Sequence, residues 1–140
     1  MPIKCRYIVL AFILSLQPQL ISNAHATSCV LGASTGTLTC LGYGSLSNNS
    51  SGTYNTAIGA GTLNQNTTGS NNTAGGAGSI SFNTTGEYNT AFGAWTLTRN
   101  TTGSDNTAFG ADALTQNTEG YNNTALGSET LAKNTTGNSN

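Results

Sequence analysis

The stretch that decides the fold runs from Asn89 to Asp105 and reads Asn-Thr-Ala-Phe-Gly-Ala-Trp-Thr-Leu-Thr-Arg-Asn-Thr-Thr-Gly-Ser-Asp. A new copy begins with the next residue, and the copies recur at a constant step of 17 residues without insertion or deletion. The copies that start with asparagine begin at Asn55, Asn72, Asn89, Asn106 and Asn123. Such a strict period is typical of a stacked repeat protein, in which each unit packs only on its neighbours.

The same register extends one unit upstream, from Leu38 to Tyr54, where Cys40 falls at the third position of the unit. We therefore predict a repeat domain over residues 38–140, with six coils numbered 1 to 6 and positions 1 to 17 in each coil. Residues 27–37 contain a similar but shorter sequence. We interpret them as an N-terminal capping coil, because terminal units of repeat arrays are usually atypical.

Several positions of the coil keep one type of residue in every copy. Position 3 is Cys or Ala and position 9 is Leu or Ile, which predicts a narrow interior with one small and one large side chain per coil. Positions 5 and 15 are glycine throughout, which indicates two corners that need a positive φ or a close backbone approach. Position 12 is always asparagine, and stacked asparagine side chains can form a hydrogen-bonded ladder.

These columns predict an all-β fold, a single parallel β-solenoid of about six coils. Threonine at position 2 favours a strand, and we expect each coil to continue with the glycine corner, a second short strand and an Asn-Thr-Thr-Gly turn. A helical alternative fails because each glycine costs a helix about 1 kcal/mol relative to alanine. In this arrangement Leu97 is expected to face inward, and Thr98 is expected to face solvent.

Position 4 carries a second column of mostly large apolar residues. In a strand this position points away from position 3, so the column faces outward if the alanines face inward. An outward apolar stripe is normally covered. We therefore predict a homotrimer that closes side by side through this stripe, or an end-to-end filament joined through the last coil. The predicted interface residues are Leu41, Ile58, Phe92, Phe109 and Leu126.

The first 26 residues have the pattern of a signal peptide. Lys4 and Arg6 precede an apolar run at residues 7–16, and Ala24-His25-Ala26 matches a cleavage site. A transmembrane helix needs about 20 apolar residues, so this run is too short to span a bilayer. We predict cleavage after Ala26, no membrane insertion afterwards, and a secreted or cell-surface location. Two alternatives remain open, an uncleaved anchor and lipidation of Cys29.

Cleavage would leave two cysteines, Cys29 and Cys40. A pair of cysteines in an exported chain is more often a disulfide than a reactive site. We predict that Cys29 and Cys40 form a disulfide that fastens the cap to coil 1. The alternative is two buried free thiols.

Charge and side-chain chemistry indicate that the protein is not an enzyme. Only 6% of the residues are charged and the formal net charge is −1, which gives no electrostatic reason to expect a nucleic-acid partner. The only histidine, His25, leaves with the signal peptide, so a Ser-His-Asp or Cys-His site cannot be built. We predict no catalytic residue, no cofactor and no metal site.

Position 7 holds the remaining candidates for binding. Asp112 and Glu129 share this position in adjacent coils, about 4.8 Å apart, where two carboxylates suit a retaining glycosidase or a cation site but are more often merely solvated. Trp95 precedes them in the same column and is a candidate ligand contact, because an exposed aromatic ring can stack on a sugar ring. Packing at a subunit contact is the alternative for Trp95. Sequences such as Asn66-Thr67-Thr68 match the glycosylation acceptor pattern, but in so regular an array we interpret them as turns.

At Asn-Thr-Ala-Ile-Gly-Ala (Asn55 to Ala60) and its copies, the chain resembles the YadA-like head repeats of trimeric autotransporter adhesins. Ala57-Ile58-Gly59 and Ala125-Leu126-Gly127 carry the resemblance best. The Asn-Thr-Ala-x-Gly repeats are also similar to those of tail-fibre-type proteins. The resemblance implies a left-handed parallel β-roll that trimerises, and attachment of a bacterium to a host surface.

The sequence thus predicts a non-enzymatic adhesive or structural module that associates with itself, with a host or surface ligand as a further partner. The alternative is an ice-binding solenoid, because position 2 offers a threonine ladder on a surface of low charge. An ice-binding face usually needs two parallel threonine files. Here position 4, beside the threonines, is apolar.

Overall fold

The computed structural model describes residues 37–140. The predicted signal peptide and its cleavage site lie outside the described residues, as do Cys29 and all but the last residue of the predicted capping coil. The pairing of Cys29 with Cys40 therefore stays a prediction.

Six short parallel strands form one sheet in which each strand pairs with the next along the chain. Their bounds are β1 Thr39–Leu41, β2 Thr56–Ile58, β3 Thr73–Gly75, β4 Thr90–Phe92, β5 Thr107–Phe109 and β6 Thr124–Leu126. The register repeats without a slip, with Thr39 opposite Thr56 and Cys40 opposite Ala57, and so on to β6. The predicted all-β parallel β-solenoid is confirmed, and residues 37–140 contain no helix.

The interior is the narrow apolar stack that the columns predict. The alanines of position 3 in coils 2 to 6 and the aliphatic residues of position 9 in coils 1 to 5 are at most 1% exposed. At the first coil Cys40 is only partly buried, and at the last coil Leu131 is partly buried. Each of coils 2 to 6 therefore places one alanine methyl group and one branched aliphatic side chain in a core shared with its neighbours.

The predicted second strand of each coil is wrong. Residues 43–48 and their equivalents form turns, because positions 7 and 9 adopt left-handed backbone conformations that break an extended chain. In coil 4 these are Trp95, with φ 57°, and Leu97, with φ 52°. A left-handed residue costs roughly 1–2 kcal/mol, and for Leu97 the cost is offset by complete burial, which contributes about 1.5–3 kcal/mol.

The expectation that Thr98 faces solvent is also wrong. Thr98 is 8% exposed, and its hydroxyl donates to the carbonyl oxygens of Trp95, at 2.6 Å, and Gly78, at 3.2 Å. The left-handed turn at Leu97 removes the simple in–out alternation of a strand. As a result, three consecutive residues of this coil, 96–98, are buried.

Two asparagine ladders run along the interior beside the apolar stack. The ladder predicted at position 12 is confirmed: Asn83 Nδ2 donates to Asn66 Oδ1 at 2.7 Å, and Asn100 Nδ2 donates to Asn83 Oδ1 at 2.8 Å. A second ladder at position 1 was not predicted. There the backbone N–H of Asn89 donates to Asn72 Oδ1 at 3.0 Å, and its Nδ2 donates to the Gly103 carbonyl at 2.9 Å.

The invariant glycines serve two different purposes. Gly93, at position 5, has φ 137°, a conformation that other residues rarely adopt. The glycines of position 15 do not have a positive φ, and glycine is required there because the next coil lies too close for a side chain. A Cβ on Gly103 would collide with the Gly120 carbonyl oxygen of the next coil and with the Asn100 side chain.

Hydrogen bonds between coils extend well beyond the strands. The carbonyl oxygen of Thr84 accepts the backbone N–H groups of Thr67, Thr68 and Gly69, at 3.0, 3.1 and 3.2 Å. In the described part of the chain, every buried side-chain nitrogen or oxygen has a hydrogen-bond partner. The coils are therefore joined mainly by polar ladders around a thin apolar core.

Candidate functional site

The outer face of the sheet carries the apolar residues that the sequence places there. Leu41, Ile58, Phe92, Phe109 and Leu126 of position 4, which we call the apolar column, are 40–66% exposed. Their outward direction is confirmed, because position 3 of the same strands points into the core. Their role in an oligomer stays a prediction.

The apolar column has a gap at Gly75, and a neighbouring ring closes it. The ring of Phe92 lies over Gly75, where a built Cβ would be 2.6 Å from Phe92 Cδ1. Phe92 also stacks on Phe109, with ring centroids 5.3 Å apart and planes inclined by 13°. The two rings and the glycine beneath them thus form one continuous apolar surface across the middle of the sheet.

Threonines of position 2 share the outer face of the sheet with the apolar column. They align in register from Thr39 to Thr124, and in the four middle strands they are partly exposed. Neither of these two columns contains a charged residue. The outer face is therefore an uncharged surface with one file of hydroxyl groups and one file of large apolar groups.

Trp95 lies at the corner formed by position 7, beyond the glycine of position 5. All six coils have a left-handed backbone here, but coils 1 to 3 use glycine whereas coils 4 to 6 use larger residues. The glycines are Gly44, Gly61 and Gly78, and the larger residues are Trp95, Asp112 and Glu129. Trp95 is 55% exposed, so the structure places the predicted ligand contact on the surface.

The Trp95 indole rests on the preceding coil. A Cβ built on Gly78 would lie 2.6 Å from Cε3 of Trp95, so the ring occupies the space in which any other residue at 78 would place its side chain. The Trp95 backbone N–H donates to the Ala77 carbonyl at 2.9 Å, and the Asp112 N–H donates to the Ala94 carbonyl at 3.1 Å. These bonds hold Trp95 and Asp112 in adjacent turns of one column.

Several exposed aromatic residues were not anticipated from the sequence as surface features. Phe82 lines a shallow groove with Arg99, Thr101 and Thr118 on the side of the solenoid formed by positions 11 and 13. Tyr54 and Tyr88 are exposed at position 17, two coils apart. Each of these aromatics occurs in a column of otherwise polar residues. That irregularity is the signal by which a column comparison could have found them.

In coils 2 to 4 the asparagine of the Asn-Thr-Thr sequence is buried. Asn66 is fully buried, and its amide donates to both Asn49 Oδ1, at 2.7 Å, and the Gly69 carbonyl, at 2.8 Å. These contacts support the interpretation of Asn66-Thr67-Thr68 as a turn. An enzyme that glycosylates the folded chain would have no access to this side chain.

Among residues 37–140, no group of three or more His, Cys, Asp or Glu side chains is arranged to hold a metal ion. Within the same residues no helix is long and apolar enough to cross a membrane. Asp112 is partly buried and Glu129 is exposed, in adjacent coils of the Trp95 column. The outer face of the sheet and the position-7 corner are the two surfaces that carry the contact residues predicted from the sequence.

No protein-family model, no curated protein and no solved structure matches this chain.

Proposed function

We propose that the chain is a non-enzymatic structural or adhesive module of an extracellular fibre or cell surface, and that it associates side by side with copies of itself. The observation that carries the proposal is the apolar column, whose large side chains are exposed in five of the six strands. Contiguous exposed apolar surface is rare on monomeric soluble proteins and is typical of interaction sites.

A second copy of this chain fits the column better than an unrelated partner. The apolar groups recur once per coil, at the spacing of neighbouring strands of about 4.8 Å. A copy of the same solenoid repeats at the same interval, so apolar groups can meet apolar groups along the whole sheet. The threonines beside them add no charge that would have to be desolvated at the interface.

Adhesion and export are further parts of the proposal. They are supported by the signal-like pattern at residues 1–26, by the regular solenoid, and by the resemblance of the Asn-Thr-Ala-x-Gly copies to adhesin head repeats. A rigid array held by polar ladders suits a spacer or an attachment module, because it presents the same side chains repeatedly along one direction.

Sedimentation of the chain tests the self-association. We expect an oligomer at micromolar concentration, and we expect the double variant Phe92→Asp/Phe109→Asp to sediment as a folded monomer. The matched control is Thr68→Asp/Thr85→Asp, which adds the same charges at exposed sites of position 14 in adjacent coils. A folded wild-type monomer, or an equal effect of both double variants, would refute the proposed interface.

Ice binding is the second candidate function. The observation in its favour is the file of threonines of position 2, which are in register across all six strands. The apolar column lies beside that file and interrupts a flat hydroxyl surface with two phenyl rings. A thermal-hysteresis measurement separates the candidates: measurable hysteresis that Thr73→Tyr/Thr90→Tyr removes would favour ice binding over self-association.

A further inference from the structure

The position-7 corner differs between the two halves of the solenoid although its backbone is the same. Gly78 has φ 66° and Trp95, one coil later, has φ 57°. Glycine adopts this conformation freely and aspartate tolerates it, whereas tryptophan and glutamate are strained in it. The residues of the Leu97 column offset the same strain by burial, but Trp95 is more than half exposed. Tyr54 and Tyr88 at position 17 are also left-handed and exposed, so what distinguishes Trp95 is the contact of its ring with Gly78 of the preceding coil.

The indole is also held in place. Its inner side rests against Gly78, and the buried hydroxyl of Thr98 bonds to the carbonyl oxygens of both Trp95 and Gly78. These contacts fix the corner of coil 4 against coil 3. One side of the ring is thus supported by the protein, which leaves the other side open to solvent and preorganised for a ligand.

The next two residues of the column add negative charge. Asp112 and Glu129 follow Trp95 at successive coils, so their Cα atoms lie about 4.8 and 9.6 Å from that of Trp95 along the column. The exposed alanines Ala77, Ala94 and Ala111 of position 6 form a flat, uncharged border on one side. An aromatic face beside two carboxylates attracts a cation both through the ring quadrupole and through charge.

We propose that Trp95, Asp112 and Glu129 form a weak binding site for an alkylammonium group, such as a quaternary ammonium or the ammonium of a lysine side chain. The cation stacks on the open side of the indole, and the carboxylates neutralise its charge. This site goes beyond the proposed self-association, which uses the outer face of the sheet. The two proposals can therefore fail independently of each other.

Trp95 is the only tryptophan of the chain, so its fluorescence reports directly on the site. The experiment titrates the full chain with choline chloride, and separately with an N-acetylated lysine amide, at constant ionic strength. The matched control is 3,3-dimethylbutanol, the neutral isostere of choline, and a methyl glucoside tests for a sugar. We expect saturable fluorescence changes with at least one ammonium probe and none with the two neutral compounds.

Two variants separate binding from folding. Asp112→Asn/Glu129→Gln keeps the size of both side chains and should weaken ammonium binding about tenfold, because two charges at this distance are removed. Trp95→Gly restores the residue that coils 1 to 3 use. By calorimetry it should bind neither ammonium probe, while its circular dichroism and sedimentation coefficient remain those of the wild type.

Each of the other outcomes overturns the proposal. The proposal is wrong if neither ammonium probe gives a saturable response, or if dimethylbutanol gives the same response as choline. It is also wrong if only the glucoside saturates, or if Asp112→Asn/Glu129→Gln binds the ammonium probes as tightly as the wild type. A change of oligomeric state in Trp95→Gly would instead place the indole at a subunit contact, and would also refute an open binding site.

Discussion

Replacement of Asn100 by aspartate probes the interior ladder without changing the shape of the side chain. Asn100 is fully buried, and its Nδ2 donates to Asn83 Oδ1 at 2.8 Å and to the Gly103 carbonyl at 2.7 Å. Its Oδ1 accepts from Asn117 Nδ2 at 2.9 Å. In Asn100→Asp the amide NH2, which donates both bonds, is replaced by a carboxylate oxygen. That oxygen faces two acceptors, Asn83 Oδ1 and the Gly103 carbonyl oxygen. The alanine variant of the same residue removes all three hydrogen bonds.

The structure sets the expected magnitudes. Three hydrogen bonds at about 1 kcal/mol each predict that Asn100→Ala lowers the free energy of unfolding by about 3 kcal/mol. At neutral pH, Asn100→Asp should cost about 3–5 kcal/mol, because it leaves a buried charge without a partner. In acid the neutral carboxyl regains one donor and keeps its acceptor, so the cost falls to about 1–2 kcal/mol. Asn100→Asp should therefore be less stable than Asn100→Ala at neutral pH and more stable than Asn100→Ala in acid.

The direction of the pH dependence follows from burial. Burial and the two facing acceptors raise the pKa of the introduced carboxyl in the folded state above the ordinary aspartate value of about 3.9. Below a pH of about 3.9 the carboxyl is protonated in both the folded and the unfolded state, so the charge penalty is absent. As the pH rises through the folded-state pKa, the unfolded state has already ionised, so the variant loses stability relative to the wild type.

Urea unfolding measured at pH 3 and pH 7 tests this prediction. The transition is followed by far-ultraviolet circular dichroism and by the fluorescence of Trp95, which lies in the same coil as Asn100. Asn48→Ala is the control, because Asn48 is exposed and donates a single bond to the Asn64 carbonyl; it should cost no more than about 0.5 kcal/mol. The ladder argument is refuted if the aspartate and alanine variants keep the same order at both pH values, or if Asn48→Ala costs as much as Asn100→Ala.

Two further substitutions test the close packing of the coils and the inward face. Gly103→Ala should lower the free energy of unfolding by about 3 kcal/mol or more, because the new Cβ collides with the next coil. Gly61→Ala is the control, because its Cβ would meet nothing within 4 Å; it should cost only the roughly 1–2 kcal/mol of a left-handed alanine. Similar losses for the two glycines in urea unfolding would contradict the close approach at position 15. Leu63→Asp should lower the melting temperature far more than Ile58→Asp in the same coil, because Leu63 is fully buried and Ile58 is 45% exposed. Equal melting temperatures would show that the inward face is misassigned.

The columns that the sequence predicts correctly share one property. Positions 3, 9, 12 and 15 each repeat a single requirement in every coil, so six copies together establish a pattern that one copy would leave ambiguous. Stacking forces this repetition, because each side chain must match the equivalent residue above and below it. The direction of the apolar column followed from the same logic once position 3 was assigned to the interior.

The features that escaped prediction depend on backbone conformation rather than on residue type. Leucine has no preference for a left-handed conformation, so nothing at Leu97 indicates the turn that replaces the second strand. The burial of Thr98 follows from that turn, and it was missed for the same reason. The second asparagine ladder was visible as a repeated residue at position 1, but coil 1 has Leu38 there, and an asparagine column by itself does not distinguish a ladder from a turn.

The contrast between interior and exterior columns indicates where function resides in this fold. A substitution at Asn100 affects hydrogen bonds to both neighbouring coils, and a Cβ at Gly103 collides with the next coil, so the interior leaves little room for variation. Residues at positions 4 and 7 bond to neighbouring coils only through the backbone, and their side chains change from Gly78 to Trp95 within one coil step while φ changes by less than 10°. The ladders thus hold a fixed backbone on which outward side chains vary, within the limit that the rings of Phe92 and Trp95 each lie over a glycine of the preceding coil. We therefore expect that substitutions in the apolar column remove the proposed self-association and that substitutions at Trp95 remove the proposed ammonium binding, each without loss of the solenoid.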